Sequence, residues 1–256
     1  MFSVSGSEYD RFMGRYSTTL APAFANFAGV RAGDRVLDVG CGTGALTAEL
    51  VKRTSADRVA AIDPAKQFVE ACRGRAPGAD VREGPGERLP WSNGEFDRVL
   101  SQLVLPFFKD AAASMAEMRR VVRPGGVVAT CMWGPADEMQ LIGSFWRAAA
   151  RVDADSPGDR LMRFRKKEET LALFHGAGLS HTEVAPLDVS TTYASFDELW
   201  QSVIGSAGSV GAYVAQLDER RLSELRDACR DELGVLEAPF TLLVWVWVVL
   251  GCVLLS

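Results

Sequence analysis

The segment VLDVGCGTGALT, residues 36–47, is the feature that most constrains the fold. An apolar run ends in glycines at alternate positions, Gly40, Gly42 and Gly44, and a helix-forming run follows. Glycine adopts positive φ and has no Cβ, so a ligand can lie directly on such a turn at the N-terminus of the next helix. Open α/β sheets bind their ligands at this carboxyl edge of the strands. The segment therefore predicts the first strand of such a sheet, with a ligand at its end.

The rest of the chain alternates β-branched runs with helical stretches, which is typical of a parallel sheet covered by helices on both faces. We predict strands at residues 35–39, 58–62, 80–83, 96–103, 127–133, 182–191 and 241–256. We predict helices at residues 19–28, 45–53, 66–74, 111–122, 139–152, 170–179, 196–204 and 218–233. A long helical insertion precedes the last strand, so a hairpin-like return can place that strand antiparallel between its two predecessors. The predicted fold class is α/β, a doubly wound, mostly parallel seven-stranded sheet with an antiparallel last strand and a Rossmann-like order.

The length of 256 residues allows one large α/β domain with a full core. We expect a single domain over residues 1–256 that has four parts. These parts are a helical N-terminal lid (1–30), a ligand-binding core (31–133), a helical cover with the sixth strand (134–240) and a C-terminal strand (241–256).

The charge balance argues against polyanionic partners. The 28 Lys and Arg residues are outnumbered by 33 Asp and Glu residues, which gives a formal net charge of -5. No broad basic surface is therefore expected to hold nucleic acid or an anionic membrane. The uncharged run at 241–256 is shorter than the roughly 20 residues of a membrane-spanning helix, and its Val and Trp content favours a buried strand.

The cysteine pattern bears on metal binding and on the cellular compartment. The five cysteines are scattered and form no C-x-x-C pair, so we expect neither a metal site nor a disulfide framework. The N-terminus mixes acidic and basic residues without an apolar segment, unlike a secretory signal. These features favour a reduced, cytoplasmic compartment.

Asp38 discriminates between the ligands that a glycine turn can hold. Gly40, Gly42 and Ala45 also satisfy a relaxed dinucleotide fingerprint. A carboxylate two positions before the first glycine would repel a pyrophosphate, whereas it would attract the ammonium group of S-adenosylmethionine. Asp63 ends the second strand 25 positions later and is placed to accept both ribose hydroxyls, which suits either nucleoside ligand.

Four ordered motifs, VLDVGCGTG, AIDPA, GERLPWSNGEFDRVLSQLVL and VVRPGG, carry a family resemblance over residues 9–133. Their order and spacing resemble the class I S-adenosylmethionine-dependent methyltransferases, of the small-molecule type that includes quinone-biosynthesis enzymes. The resemblance implies in-line transfer of a methyl group to a small, partly hydrophobic acceptor, with S-adenosylhomocysteine as product. The alternatives are a non-catalytic S-adenosylmethionine-binding protein and an NAD(P)-dependent oxidoreductase, which leaves Asp38 unexplained.

The resemblance also implies contacts to the methionyl group and the ribose of the cofactor. Asp38, Gly40 and Gly42 would hold the methionyl group, and Asp63 with Pro64 would hold the ribose. Cys41 lies inside the turn and is interpreted as a small filler rather than a nucleophile.

Contacts to the adenine and to the reactive methyl are implied in the same way. The adenine would depend on the Gly86 backbone and on Glu87, while Ser101, Gln102 and Leu103 would line the site near the methyl. Many relatives have Gly-Asp-Ala in the loop after the third strand, with the Asp on the adenine amine. Here Pro85 replaces that Asp and has neither a side-chain acceptor nor an N–H.

The sequence identifies no catalytic base. Pro106 stands where many relatives have a histidine, and His175 and His181 are predicted to lie at the surface. Arg11 or Arg15 is a candidate to neutralise the cofactor carboxylate. Aromatic and methionine side chains are candidates for a lid over the cofactor and for acceptor contacts: Tyr9, Phe12, Met13 and Tyr16 for the lid, and Phe107, Phe108, Met132 and Trp133 for the acceptor.

Overall fold

A computed structural model describes residues 14–135, 139–158, 163–164, 166–205, 208–234 and 239–254. The strands are β1 (Val36–Val39), β2 (Val59–Asp63), β3 (Asp80–Glu83), β4 (Phe96–Gln102), β5 (Val122–Trp133), β6 (Ser180–Tyr193) and β7 (Phe240–Cys252). The helices are α1 (Arg15–Phe27), α2 (Ala45–Arg53), α3 (Lys66–Arg75), α4 (Ala111–Val121), α5 (Gln140–Val152), α6 (Lys167–Gly176), α7 (Phe196–Ile204), α8 (Gly208–Val214) and α9 (Glu219–Leu233). Short 3-10 turns cover Ala56–Arg58 and Leu105–Phe107.

The strands form one seven-stranded sheet in the order β3-β2-β1-β4-β5-β7-β6. The four pairings among β1 to β5 are parallel. The run of β7 follows from its hydrogen bonds: Val253 N donates to Gly126 O, and Gly134 N donates to Trp245 O. Because the partner moves backward as β5 advances, β7 is antiparallel and lies between β5 and β6. The predicted fold class is confirmed.

The central strand β1 is buried at all four positions, as expected for a parallel strand covered on both faces. Leu37 and Val39 belong to the larger hydrophobic cluster, together with Met115 and Met118 of α4. Successive strand side chains point to opposite faces, so Asp38 lies on the other face of the sheet. Asp38 therefore lies near the carboxyl end of β1, and its side chain is on the face opposite to Leu37 and Val39.

Some predicted boundaries move where tertiary packing outweighs local propensity. Helix α1 begins four residues before the predicted start at 19 and contains Pro22. Its buried stripe of Tyr16, Leu20 and Phe24 repeats every fourth residue, which carries the helix past the proline. Helix α8 was not predicted.

Strand β5 begins at Val122, five residues before the predicted strand. The prediction placed the segment RPGG outside the strand because Pro and Gly end a helix. The helix does end there, but Gly125 N donates to Val253 O at 2.8 Å, so pairing with the chain after β7 extends the strand.

The chain forms two compact units. The core unit contains the described residues of 17–132, 163–187 and 246–256, and the helical unit contains those of 14–16, 133–162 and 188–245. The division of one domain into lid, core, cover and final strand stays a prediction.

Candidate functional site

The glycine turn joins β1 to α2, and each of its glycines has positive φ: 76° at Gly40, 52° at Gly42 and 87° at Gly44. A Cβ on Gly40 would lie 2.4 Å from Cγ1 of Val104, and a Cβ on Gly44 would lie 2.9 Å from Sγ of Cys72. A Cβ on Gly42 would meet nothing within 4 Å. Gly40 and Gly44 are therefore required for packing, whereas the face of Gly42 is open.

Asp38 is buried at the end of β1, with 1% of its surface exposed. Its Oδ2 accepts a hydrogen bond from Thr47 Oγ1 at 2.7 Å, while Oδ1 has no partner among the described residues. Burial raises the pKa of Asp38 to about 7, with a smaller contribution from the Asp63 charge, and the Thr47 hydrogen bond opposes this rise. A buried carboxylate oxygen without a partner favours a cationic ligand group.

Asp63, at the end of β2, is hydrogen-bonded to the glycine turn. Its Oδ2 accepts from Gly42 N at 3.0 Å, and its Oδ1 accepts from Ala65 N at 2.9 Å. Burial raises the pKa of this carboxyl, and both main-chain bonds oppose the rise. Asp63 therefore fixes the turn in addition to any contact with a ligand, a structural role that the sequence interpretation did not identify.

Cys41 is buried inside the turn and packs in the smaller hydrophobic cluster with Cys72 and Ala61. Its hydrogen bond with Cys72 and its burial raise the pKa of the Cys41 thiol well above the usual range. The thiol is therefore protonated near neutral pH, which agrees with the interpretation of Cys41 as a filler.

Arg75 reaches the start of α2, where its Nη1 donates to Thr43 Oγ1 at 3.3 Å. Sequence reasoning missed this residue, since nothing in its local pattern places the last turn of α3 beside the glycine turn. Of the two arginines proposed instead, Arg15 forms an ion pair with Glu198. Arg11 lies outside the described residues.

The loop after β3 is fixed by contacts to the segment that precedes α4. A Cβ on Gly86 would lie 2.6 Å from Cε1 of Phe108, so the ring fills the space of a side chain. Glu87 Oε1 accepts from Lys109 N at 2.8 Å and from Asp110 N at 3.1 Å. The role of Gly86 and Glu87 in holding adenine stays a prediction.

The end of β4 presents polar atoms with unmet hydrogen-bonding capacity. Gln102 Nε2 donates to Ser17 O at 3.1 Å, which leaves the buried Gln102 Oε1 without a partner in the described part of the chain. Ser101 Oγ is also buried and has no hydrogen-bond partner among the described residues. Leu103 has φ of 62°, held by its N–H bond to Cys131 O at 3.0 Å. A strained non-glycine backbone at a strand end is common at ligand sites.

Tyr16 is buried in the helical unit. Its hydroxyl lies 3.1 Å from that of Tyr193, and its ring meets Trp133 edge to face at 5.9 Å. Burial raises the pKa of Tyr16 above its usual range. A lid role for Tyr16 stays a prediction, and its three suggested companions lie outside the described residues: Tyr9, Phe12 and Met13.

The remaining candidates differ in exposure. Both histidines, His175 and His181, are exposed, which confirms their predicted surface position. Pro64 is exposed as well. Phe107 is 48% exposed, whereas Met132 is buried. Within the described ranges, no cluster of three potential ligands suits a metal ion, and no helix has the length and apolar composition to cross a membrane.

Comparison with known proteins identifies relatives of this chain. The family described as "Methyltransferase domain" matches residues 37–130. A malonyl-[acyl-carrier protein] O-methyltransferase of Geobacter sulfurreducens is 30% identical over 195 residues, 74% of this chain and 73% of the relative. A chloroplastic 2-methyl-6-phytyl-1,4-hydroquinone methyltransferase of Oryza sativa is 32% identical over 152 residues, 59% of this chain.

The chain spans less than half of several relatives, with the match covering 40% of the rice enzyme. Among solved structures, a phosphoethanolamine N-methyltransferase of Haemonchus contortus in complex with S-adenosylhomocysteine superposes with a TM-score of 0.57. That match covers 92% of this chain and 52% of the other at 16% identity, so it shows a shared fold.

Proposed function

Because the chain belongs to the class I S-adenosylmethionine-dependent methyltransferases, we propose that it transfers a methyl group from this cofactor to a small, partly hydrophobic acceptor. The observation that carries the proposal is Asp38 Oδ1, a buried carboxylate oxygen without a partner among the described residues. An ammonium group satisfies this oxygen, and the methionyl part of the cofactor has one.

Three further features at or beside the glycine turn fit the cofactor. The open face of Gly42 leaves room for a ligand against the backbone. Arg75 and the N-terminus of α2 supply positive charge for a carboxylate. Asp63 has acceptor capacity for hydroxyls beyond its two main-chain bonds, since a carboxylate accepts about four.

The bound sulfonium supplies an electrophilic methyl group for in-line displacement. The protein's own contribution is alignment and exclusion of water. Asp38 and Gly42 orient one end of the ligand, and the end of β4 shapes the neighbouring surface. A dedicated base is not required where the acceptor is already a carbanion, amine or ionised phenol.

The names of the relatives support the acceptor class. One acts on a hydroquinone and another on malonyl-[acyl-carrier protein], so an acidic carbon or an oxygen is the first choice for the acceptor atom. The net charge of -5 supports a small molecule over a nucleic acid. The five cysteines are free, which supports a cytoplasmic location.

Calorimetric titration with S-adenosylhomocysteine and, separately, with NADH tests cofactor choice. We expect binding of the first and none of the second, because a pyrophosphate would face Asp38. Acceptor panels of hydroquinones and malonyl thioesters, assayed for S-adenosylhomocysteine formation, then test transfer. Binding without turnover on any acceptor would favour a non-catalytic binding protein, and NADH binding alone would favour the oxidoreductase.

A further inference from the structure

We propose that this site binds its nucleoside without a side-chain contact to the exocyclic 6-amino group of the purine, so that a cofactor lacking this group binds about equally well. The inference rests on the proposed function and concerns the loop after β3, residues 84–88. It follows from the position of the loop and from the chemistry of its side chains.

The order of the strands fixes where the base lies. Asp38 lies near the carboxyl end of β1 and Asp63 ends the adjacent β2, and β3 is the next strand outward. A ligand with its ammonium at Asp38 and its ribose at Asp63 extends along this edge, which brings its base to the end of β3. The loop is joined to the ribose position through Gly84 N, which donates to Asp63 O at 3.0 Å.

The first positions of the loop offer no polar side chain. Pro85 is exposed but has neither an N–H nor a polar atom in its ring. Gly86 has no side chain, and Phe108 occupies the space that a side chain would need. A base lying here meets an apolar surface and main-chain atoms.

The acidic side chain of the loop is already engaged. Two main-chain N–H groups, from Lys109 and Asp110, hold Glu87 Oε1. The loop that carries Glu87 is itself fixed, since Glu117 Oε2 accepts from Leu89 N at 2.9 Å. Rotating the carboxylate away from the start of α4 would break both bonds, so Glu87 Oε2 is the oxygen of this side chain that keeps full acceptor capacity.

Glu83 and Arg88 flank residues 84–87 and are the other polar side chains near the expected position of the base. Arg88 is exposed, but a guanidinium has only donors and cannot accept from an amino group. Glu83 pairs in register with Asp63 at the end of β3 and is exposed, so its carboxylate and Glu87 Oε2 are the acidic groups of residues 83–88 that could compete for the amine. The experiment therefore includes both glutamates.

Titration of the full chain with S-adenosylhomocysteine and with its 6-desamino purine analogue tests the inference. Reading of the amine by a carboxylate would make the analogue bind about tenfold or more weakly. We expect the two affinities to agree within about threefold, because no charge-assisted bond is lost. A preference of about tenfold or more for S-adenosylhomocysteine would overturn the inference, and Glu83→Gln and Glu87→Gln would then identify which side chain reads the amine.

Pro85→Asp is the gain-of-function variant, and Pro85→Ala is its control. The aspartate introduces an acceptor at the exposed loop position, so we expect a preference for S-adenosylhomocysteine of about tenfold, while the alanine variant stays near equality. Circular dichroism checks that both variants fold. Equal binding of the two ligands to the folded aspartate variant would overturn the placement of the base. Absence of S-adenosylhomocysteine binding to the wild type would instead overturn the proposed function.

Discussion

At the scale of single residues, Asp38 shows how a sequence position acquires a chemical property. The sequence places an acid before a glycine turn, but it does not show that the acid is buried with one oxygen that has no partner among the described residues. Burial favours the neutral form, so an empty site holds a carboxyl that titrates near pH 7. Ligand binding supplies the missing positive partner and favours the ionised form.

Asp38→Asn separates stability from binding. The pKa of Asp38 is raised from 3.8 to about 7, so its contribution to folding is fully present below pH 3.8 and is lost as the pH rises through 7. At pH 8 the amide removes an unpaired buried charge, and we expect the ligand-free variant to be more stable by about 1–3 kcal/mol. At pH 5 the difference should be smaller, because much of the loss occurs between pH 5 and pH 7, and it should vanish only below pH 3.8. Thermal unfolding at both pH values measures this, and a variant that is less stable at pH 8 would contradict it.

The affinity for S-adenosylhomocysteine should depend on pH for the same reason. Only the ionised form of Asp38 pairs with the ligand's ammonium, so affinity should rise by up to about tenfold between pH 6 and pH 8. Burial also raises the pKa of Asp63, so a second titration can contribute. Calorimetry on Asp38→Asn isolates the first effect, because the variant should bind weakly and show little of this rise. A wild-type affinity that is constant over this range would refute the assignment.

At the scale of elements, the glycine turn was the most predictable part of the site. The alternate glycines predict a turn with positive φ, and all three glycines have positive φ. The sequence could not show which glycines are needed for packing and which one faces a ligand. That difference depends on Val104 and Cys72, which lie outside the turn and pack against Gly40 and Gly44. Asp63 is a similar case, because its bonds to Gly42 N and Ala65 N depend on how β2 packs beside the turn.

Gly42→Ala and Gly44→Ala form a matched pair that tests this difference. Each alanine must adopt positive φ, which costs about 1–2 kcal/mol. In Gly44→Ala the Cβ also lies 3.0 Å from Cα of Cys72, a backbone atom that cannot easily give way. We expect an additional loss of roughly 1–3 kcal/mol for Gly44→Ala in urea unfolding. Gly42→Ala should stay closer to wild-type stability yet lose S-adenosylhomocysteine affinity, because its methyl enters the open face. Equal losses of stability in the two variants would contradict this interpretation.

At the scale of the whole molecule, the strand order was predictable and the fine boundaries were not. The long insertion before an apolar last strand indicated an antiparallel strand between β5 and β6, which the pairing confirms. The extension of β5 through RPGG depends on the chain after β7, more than a hundred residues later, so no local pattern announces it. The candidate site likewise draws most of its predicted residues from the ends of β1, β2, β3 and β4, whereas the contact of Arg75 with Thr43 depends on how α3 packs.

Ligand binding at the strand edge should stabilise the whole chain against unfolding. A ligand that binds only the folded state at about 100 times its dissociation constant adds roughly 2.7 kcal/mol to the free energy of unfolding. We therefore expect S-adenosylhomocysteine to raise the thermal transition, and NADH at the same concentration to leave it unchanged. Asp38→Asn should respond less than the wild type at equal ligand concentration, because its affinity is lower. Hydrogen exchange should locate the added protection at the glycine turn and at the ends of β2 and β3. Protection confined to other segments would place the ligand away from Asp38, and the strand-edge site would then be wrong even if the transition shifts.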